Sequence, residues 1–247
     1  MDGVFADMDR ELVRHADALF GDAPRSAPEP PAPPGDGAPS EATAEPGADP
    51  AAPELSPGAG LRLTSRQQRQ LWRHIGTIEN FWGTLEEIEP GITRRLAALA
   101  SDRRWEIIFL TKRPSTAGES SQLQTQRWLE ARGFPLPSVY VVQGSRGRIA
   151  AALGLDFVVD DRPENCLDVV VDSKARAILV WRADVAKAPA AANRLGIGIV
   201  PTLSRCLDIL AEADAPDGDR PGVMERVRRL LGLKKTPADA PGAKAQA

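Results

Sequence analysis

Phe157-Val158-Val159-Asp160-Asp161-Arg162-Pro163 is the stretch that decides the fold. Three apolar residues followed at once by two carboxylates read as a buried strand ending at an acidic turn. Adjacent carboxylates in that place are costly unless a cation or hydrogen bonds compensate them. Mg²⁺ prefers oxygen ligands, takes few carboxylates and keeps waters, so Asp160 and Asp161 are candidate metal ligands. The competing reading is an Asp-rich turn that caps a helix beginning at Pro163.

Working outward, short apolar runs alternate with helical patterns from residue 104 onward. Trp105–Leu110, Ser138–Val142, Phe157–Val159 and Ala177–Trp181 read as strands. Ser121–Ala131, Gly147–Leu153, Leu203–Glu212 and Val223–Leu231 read as helices. This alternation predicts an α/β protein with a parallel sheet covered on both faces. Such folds bind ligands at the carboxyl ends of their strands, where Thr111 and Asp160-Asp161 stand.

Three pieces now combine: the opening Met1-Asp2-Gly3-Val4, the run Ile107-Ile108-Phe109-Leu110-Thr111, and Asp160-Asp161-Arg162-Pro163. Together they resemble the haloacid dehalogenase-like phosphohydrolases, nearest to the 5′-nucleotidase-like branch. The resemblance covers the first seven residues and most of 62–181. It implies a Rossmann-like doubly wound parallel sheet with a helical cap, and Mg²⁺-dependent hydrolysis of a small phosphorylated substrate, with nucleotides suggested by analogy.

Site roles follow from the resemblance. The family's first motif is Asp-x-Asp-Gly, and Met1 falls on its x. Asp2 then corresponds to the second aspartate, which protonates the leaving alcohol and later deprotonates water. A carboxyl does both when its surroundings lift its pKa toward neutrality. Thr111 would hydrogen-bond the phosphoryl group. Asp2, Asp160 and Asp161 form the implied Mg²⁺ site. Arg146 falls where the family carries a lysine, with Arg148 as the other candidate; no lysine lies between Lys112 and Lys174. A guanidinium clamps phosphate in two-pronged fashion but does not simply replace an ammonium. Lys112 and Arg113 add cations at the same sheet edge, suited to an anionic substrate.

The family's nucleophile would lie just before Met1. The expectation is that the natural start lies upstream, since the strand before that motif is central in the family's sheet. The alternative is a catalytically inactive relative that serves as a binding or scaffold module.

Residues 1–5 read as the remnant of the first motif, 6–103 as a helical cap, 104–234 as the α/β core and 235–247 as a disordered tail. Within the cap, apolar spacing predicts a helix over 6–20 stopped by Gly21, one from the Thr64-Ser65 cap to about Phe81, and one over Ile92–Ala100. Trp82 is a candidate for stacking on a nucleobase, against the more ordinary reading of aromatics at helical spacing as core. Residues 22–60 hold 11 of the 22 prolines and only Leu55 as a large apolar residue. That composition reads as a disordered insertion. A further reading makes this segment an extended docking sequence for a partner.

Composition narrows the classes. A net charge of −3 over 247 residues gives no basic footprint for nucleic acid. No apolar run approaches the ~20 residues that span a membrane. Two histidines make a histidine-based site improbable, whereas carboxylates are plentiful. Cys166 and Cys206 stand far apart without metal-type spacing and read as reduced core thiols of a cytoplasmic protein.

Overall fold

The computed structural model describes residues 1–21, 61, 63–184, 188–214, 227 and 229–232. The Pro-rich segment 22–60, the tail after Lys235, and residues 223–226 and 228 of the helix expected over Val223–Leu231 lie outside them. In chain order, helix α1 (Met8–Phe20), α2 (Ser65–Thr77), a short 3-10 turn (Phe81–Gly83) and α3 (Ile92–Arg103) precede strand β1 (Ile108–Thr111). Then follow α4 (Ser121–Ala131), β2 (Ser138–Val141), α5 (Arg146–Leu153), β3 (Phe157–Asp160) and α6 (Pro163–Asp172). The series closes with β4 (Arg176–Val180), α7 (Ala190–Arg194), β5 (Gly198–Val200) and α8 (Leu203–Ala213).

All strand pairings are parallel. β1 pairs with β2, Phe109 opposite Val139, while β3, β4 and β5 form a second sheet with Val158 opposite Ala177 and Leu179 opposite Ile199. Residues of β4 alternate between two apolar layers. Ala177 and Leu179 face Ala150, Cys166 and Val169 of α5 and α6, whereas Ile178 and Val180 join the layer of Leu203, Cys206 and Leu207 in α8. This sheet is therefore covered on both faces, as its near-continuous apolar strands require. The single sheet expected from sequence is divided. Among the described residues no strand stands between β1 and β3, and both line one cavity of about 750 Å³.

The N-terminal helices pack directly onto this body. Leu12 and Ala16 of α1, Leu71 and Ile75 of α2, and Leu96 of α3 share one apolar cluster with Phe109 of β1 and Trp128 of α4. Each such side chain contributes ~1.5–3 kcal/mol on burial. Asp7 caps α1 by accepting from the Arg10 amide, and Thr64 with Gln67 forms a reciprocal capping box on α2. α2 ends at Thr77, four residues before the expected Phe81. Asn80 takes a left-handed conformation there (φ 52°). Its amide donates to Ala117 O at 2.8 Å and its side-chain oxygen accepts from the Glu119 amide at 2.9 Å. Bonds to the loop after β1 outweigh helical continuation at this point. α6, α7 and β5 went unread in the sequence; β5 has three residues and α7 five, too short for a periodic signal.

Cys166 and Cys206 are free and buried. No helix among the described residues is long and apolar enough to cross a membrane.

Candidate functional site

The carboxyl ends of β1 and β3 converge on the turn that follows Met1. Asp2 lies in that turn, and its side chain is 15% exposed. Its carboxylate accepts from Thr111 Oγ1 at 2.9 Å and from Arg113 through Nε (3.0 Å) and Nη2 (2.6 Å). Arg113 is itself 2% exposed. Its Nη1 donates to Thr125 Oγ1 at 2.8 Å, and its guanidinium lies over the Trp82 ring, 4.9 Å from the centroid. Thr111 and Arg113 are thus committed to Asp2, and Arg113 offers no open face to a substrate. Lys112, between them, is exposed.

This pairing overturns one expectation. Burial alone would raise the Asp2 pKa, but the Arg113 charge and its hydrogen bonds, with help from the N-terminal ammonium and Thr111, hold it below the usual carboxylate value. Asp2 is an ion-paired carboxylate here, not a carboxyl lifted toward neutrality. Trp82 departs from its stacking role in a similar way. It is fully buried, with Nε1 donating to Pro114 O at 2.9 Å and its backbone amide donating to Gln124 Oε1 at 2.9 Å. Its ring supports Arg113 from below and presents no surface to a nucleobase.

On the β3 side, Asp160 Oδ1 accepts from the Arg162 amide and from Asn165 Nδ2, both at 2.9 Å, which shapes the turn into α6. Pro163 occupies the first turn of that helix. The capping reading of this stretch is therefore part of the geometry. Asp161 packs on the Asp2-Gly3 turn. Gly3 has φ +73°, and a Cβ on it would collide with the Asp161 carboxylate, so only glycine admits the contact. Burial, and then the neighbouring Asp160 charge, push the Asp161 pKa up to about 7. Two carboxylates this close hold more negative charge than the site neutralises by itself.

Arg146, at the start of α5, supplies part of the balance. It is 6% exposed, and its Nε and Nη1 are buried without a hydrogen-bond partner. Burial lowers its pKa, opposed by the charges of Asp160, Asp2 and Asp161. Arg148, the other candidate, is 85% exposed at its side chain and lies 4.0 Å from Asp172. Helix α5 comes this close because Gly147 packs on α6, where a Cβ would strike the Asp168 backbone carbonyl.

For a metal, the available donors are the hard oxygens of Asp160 and Asp161. Among the described residues no three His, Cys, Asp or Glu side chains come together as a metal-holding group. The Asp2 side chain is turned to Arg113 instead.

The sequence reading missed one device. Arg182 donates to Gly3 O through Nη1 at 2.5 Å and to Val4 O through Nη2 at 3.1 Å, and it pairs with Glu89 at 2.9 Å. Glu89 also accepts from the Leu203 and Ser204 amides at 2.7 and 2.8 Å. One carboxylate thus caps α8 and anchors the arginine that holds the site turn. The only sequence signal was an arginine just past the β4 run.

No family model, no curated protein and no solved structure matches the chain. The reading of this site rests on its own residues.

Proposed function

We propose that the chain is a Mg²⁺-dependent phosphomonoester hydrolase of the haloacid dehalogenase type. The observation that carries this reading is Arg146, a buried guanidinium with two unpartnered nitrogens beside two adjacent carboxylates. A buried cationic donor left unpaired is costly, and an anion with several oxygens relieves it. An acidic pair next to it suits a divalent cation, so the two together suit a phosphoryl group held between guanidinium and metal.

In the reaction proposed, a carboxylate immediately preceding Met1 attacks phosphorus. A carboxylate–phosphorus bond forms, the ester P–O bond breaks, and the alcohol leaves with a proton; water then hydrolyses the acyl phosphate. Asp160 and Asp161 would hold Mg²⁺, which when bound supplies positive charge to the phosphoryl oxygens. Arg146 orients the phosphoryl group through Nε and Nη1. Asp2, as an ion-paired carboxylate, is set to take the proton from the attacking water. For Asp2 to donate a proton to the leaving alcohol, Arg113 would first have to loosen its hold. Nucleoside monophosphates remain the substrate class by analogy alone.

The test is hydrolysis of p-nitrophenyl phosphate with Mg²⁺ by the chain extended upstream with an apolar strand ending in aspartate. Activity that disappears in the Arg146→Gln variant supports the reading. A folded, extended protein that hydrolyses no phosphomonoester contradicts it and leaves a binding module of the same fold.

A further inference from the structure

The cavity between the two sheets has the dimensions and walls of a strand position. One wall is β1 and the other is β3, with Ile108, Phe109, Leu110, Phe157, Val158 and Val159 all lining it. Trp105 and Asp156 stand at one end, Met1 and Asp160 at the other, so the two strands run the same way along it. A residue in a packed sheet takes about 3.3 Å along the strand, about 4.8 Å across and about 10 Å through the layer, or roughly 160 Å³. The volume of about 750 Å³ therefore suits about five residues, and β1 and β3 have four each.

The walls carry backbone polarity in register for such a guest. The Val142 amide bonds Thr111 O on the β2 side, so alternation turns Ile108 and Leu110 toward the cavity. The Arg176 amide bonds Asp156 O on the β4 side, which turns Phe157 and Val159 toward it. An acyl chain would fill the volume and leave these groups unpaired; a strand satisfies both edges at once. One rung already exists: the Met1 nitrogen donates to Leu110 O at 3.4 Å.

We infer that this cavity is a receptor for an apolar β-strand, parallel to β1 and β3, whose last residue joins Met1 from its N-terminal side. The strand would merge the two sheets into one of six strands and bring its end to Asp2. This inference does not rest on the hydrolase reading.

The test fuses five residues ahead of Met1 in the full chain and follows amide hydrogen exchange. Three extensions are compared: Val-Ile-Val-Ile-Val, Gly-Ser-Gly-Ser-Gly, and Val-Ile-Pro-Ile-Val, which is equally apolar but loses a donor. The expected result is at least tenfold slower exchange at Ile108, Leu110, Phe157 and Val159, with a raised Tm, for the first extension alone. Unchanged exchange with the Val-Ile extension, or equal protection by the Gly-Ser extension, overturns the inference. Protection by a free Val-Ile peptide but not by the fused one overturns the assignment of the strand to the segment joined to Met1. None of these readouts involves phosphate, so failure here is separable from failure of the catalytic reading.

Discussion

Arg113 grips the Asp2 carboxylate through two nitrogens, Nη2 at 2.6 Å and Nε at 3.0 Å, from a position with no solvent exposure at its side chain. This ion pair ties the first turn of the chain to the loop after β1. Removing one partner of a buried pair leaves the other charge stranded and costs ~3–5 kcal/mol. Arg113→Gln is expected to lose about that much in urea denaturation, with the Asp2→Asn, Arg113→Gln double variant recovering part of it. Equal stability of Arg113→Gln and the parent protein would show that the pair contributes nothing.

The same pair sets an acid limit. Because the folded pKa of Asp2 lies below its unfolded value of about 3.9, its contribution is complete above that pH and is lost as pH falls through the folded value. Tm measured from pH 6 to pH 2 should fall less steeply below pH 4 in Asp2→Asn than in the parent chain.

Gly3 and Asp161 make the tightest contact of the turn. Gly3→Ala introduces a Cβ at φ +73° that collides with the Asp161 carboxylate. The backbone term alone costs ~1–2 kcal/mol, so a urea midpoint shift of at least that size is expected. Asp161 should also titrate closer to an ordinary carboxylate once displaced, readable by NMR.

How much of this was legible beforehand differs from residue to residue. The strands around Phe109 and Val158 were visible because both are apolar runs closed by polar turn residues, and α4 was visible from the Ser120 cap to the Gly133 stop. The site residues Asp2, Thr111, Arg146, Asp160 and Asp161 were found from motif spacing, which carries information about strand ends. Trp82 and Arg113 were read as facing a ligand because sequence gives a residue type and a face, not the partner opposite. Their burial depends on Asp2, 111 residues from Arg113. The Arg182–Glu89 device was invisible for the same reason: its members come from separate segments and carry no local pattern.

His15 gives a second pH response, remote from the site. Its Nδ1 lies 3.2 Å from His74 Nε2, and its Nε2 lies 2.9 Å from Arg14 Nη2. Burial, then the charges of Arg14 and His74, lower its pKa against the pull of Glu11. A folded pKa below the unfolded value near 6.5 means the neutral ring is favoured in the fold. Stability is therefore complete above about pH 6.5 and declines as pH falls through the folded value. The Tm difference between pH 7.5 and pH 5.5 should shrink in His15→Gln; an unchanged difference would remove His15 as its source.

Arg146 is the centre of the functional account, and inorganic phosphate is the simplest probe of it. Titration of phosphate into the chain with Mg²⁺, followed by ³¹P NMR, should show saturable binding. Loss of a charge-assisted hydrogen bond is worth ~1.5–3 kcal/mol, so Arg146→Gln should bind roughly tenfold or more weakly, while Arg148→Gln binds as the parent does. Equal binding by the parent chain and Arg146→Gln, or no saturable binding by either, would contradict the assignment of Arg146 as the phosphoryl-holding residue.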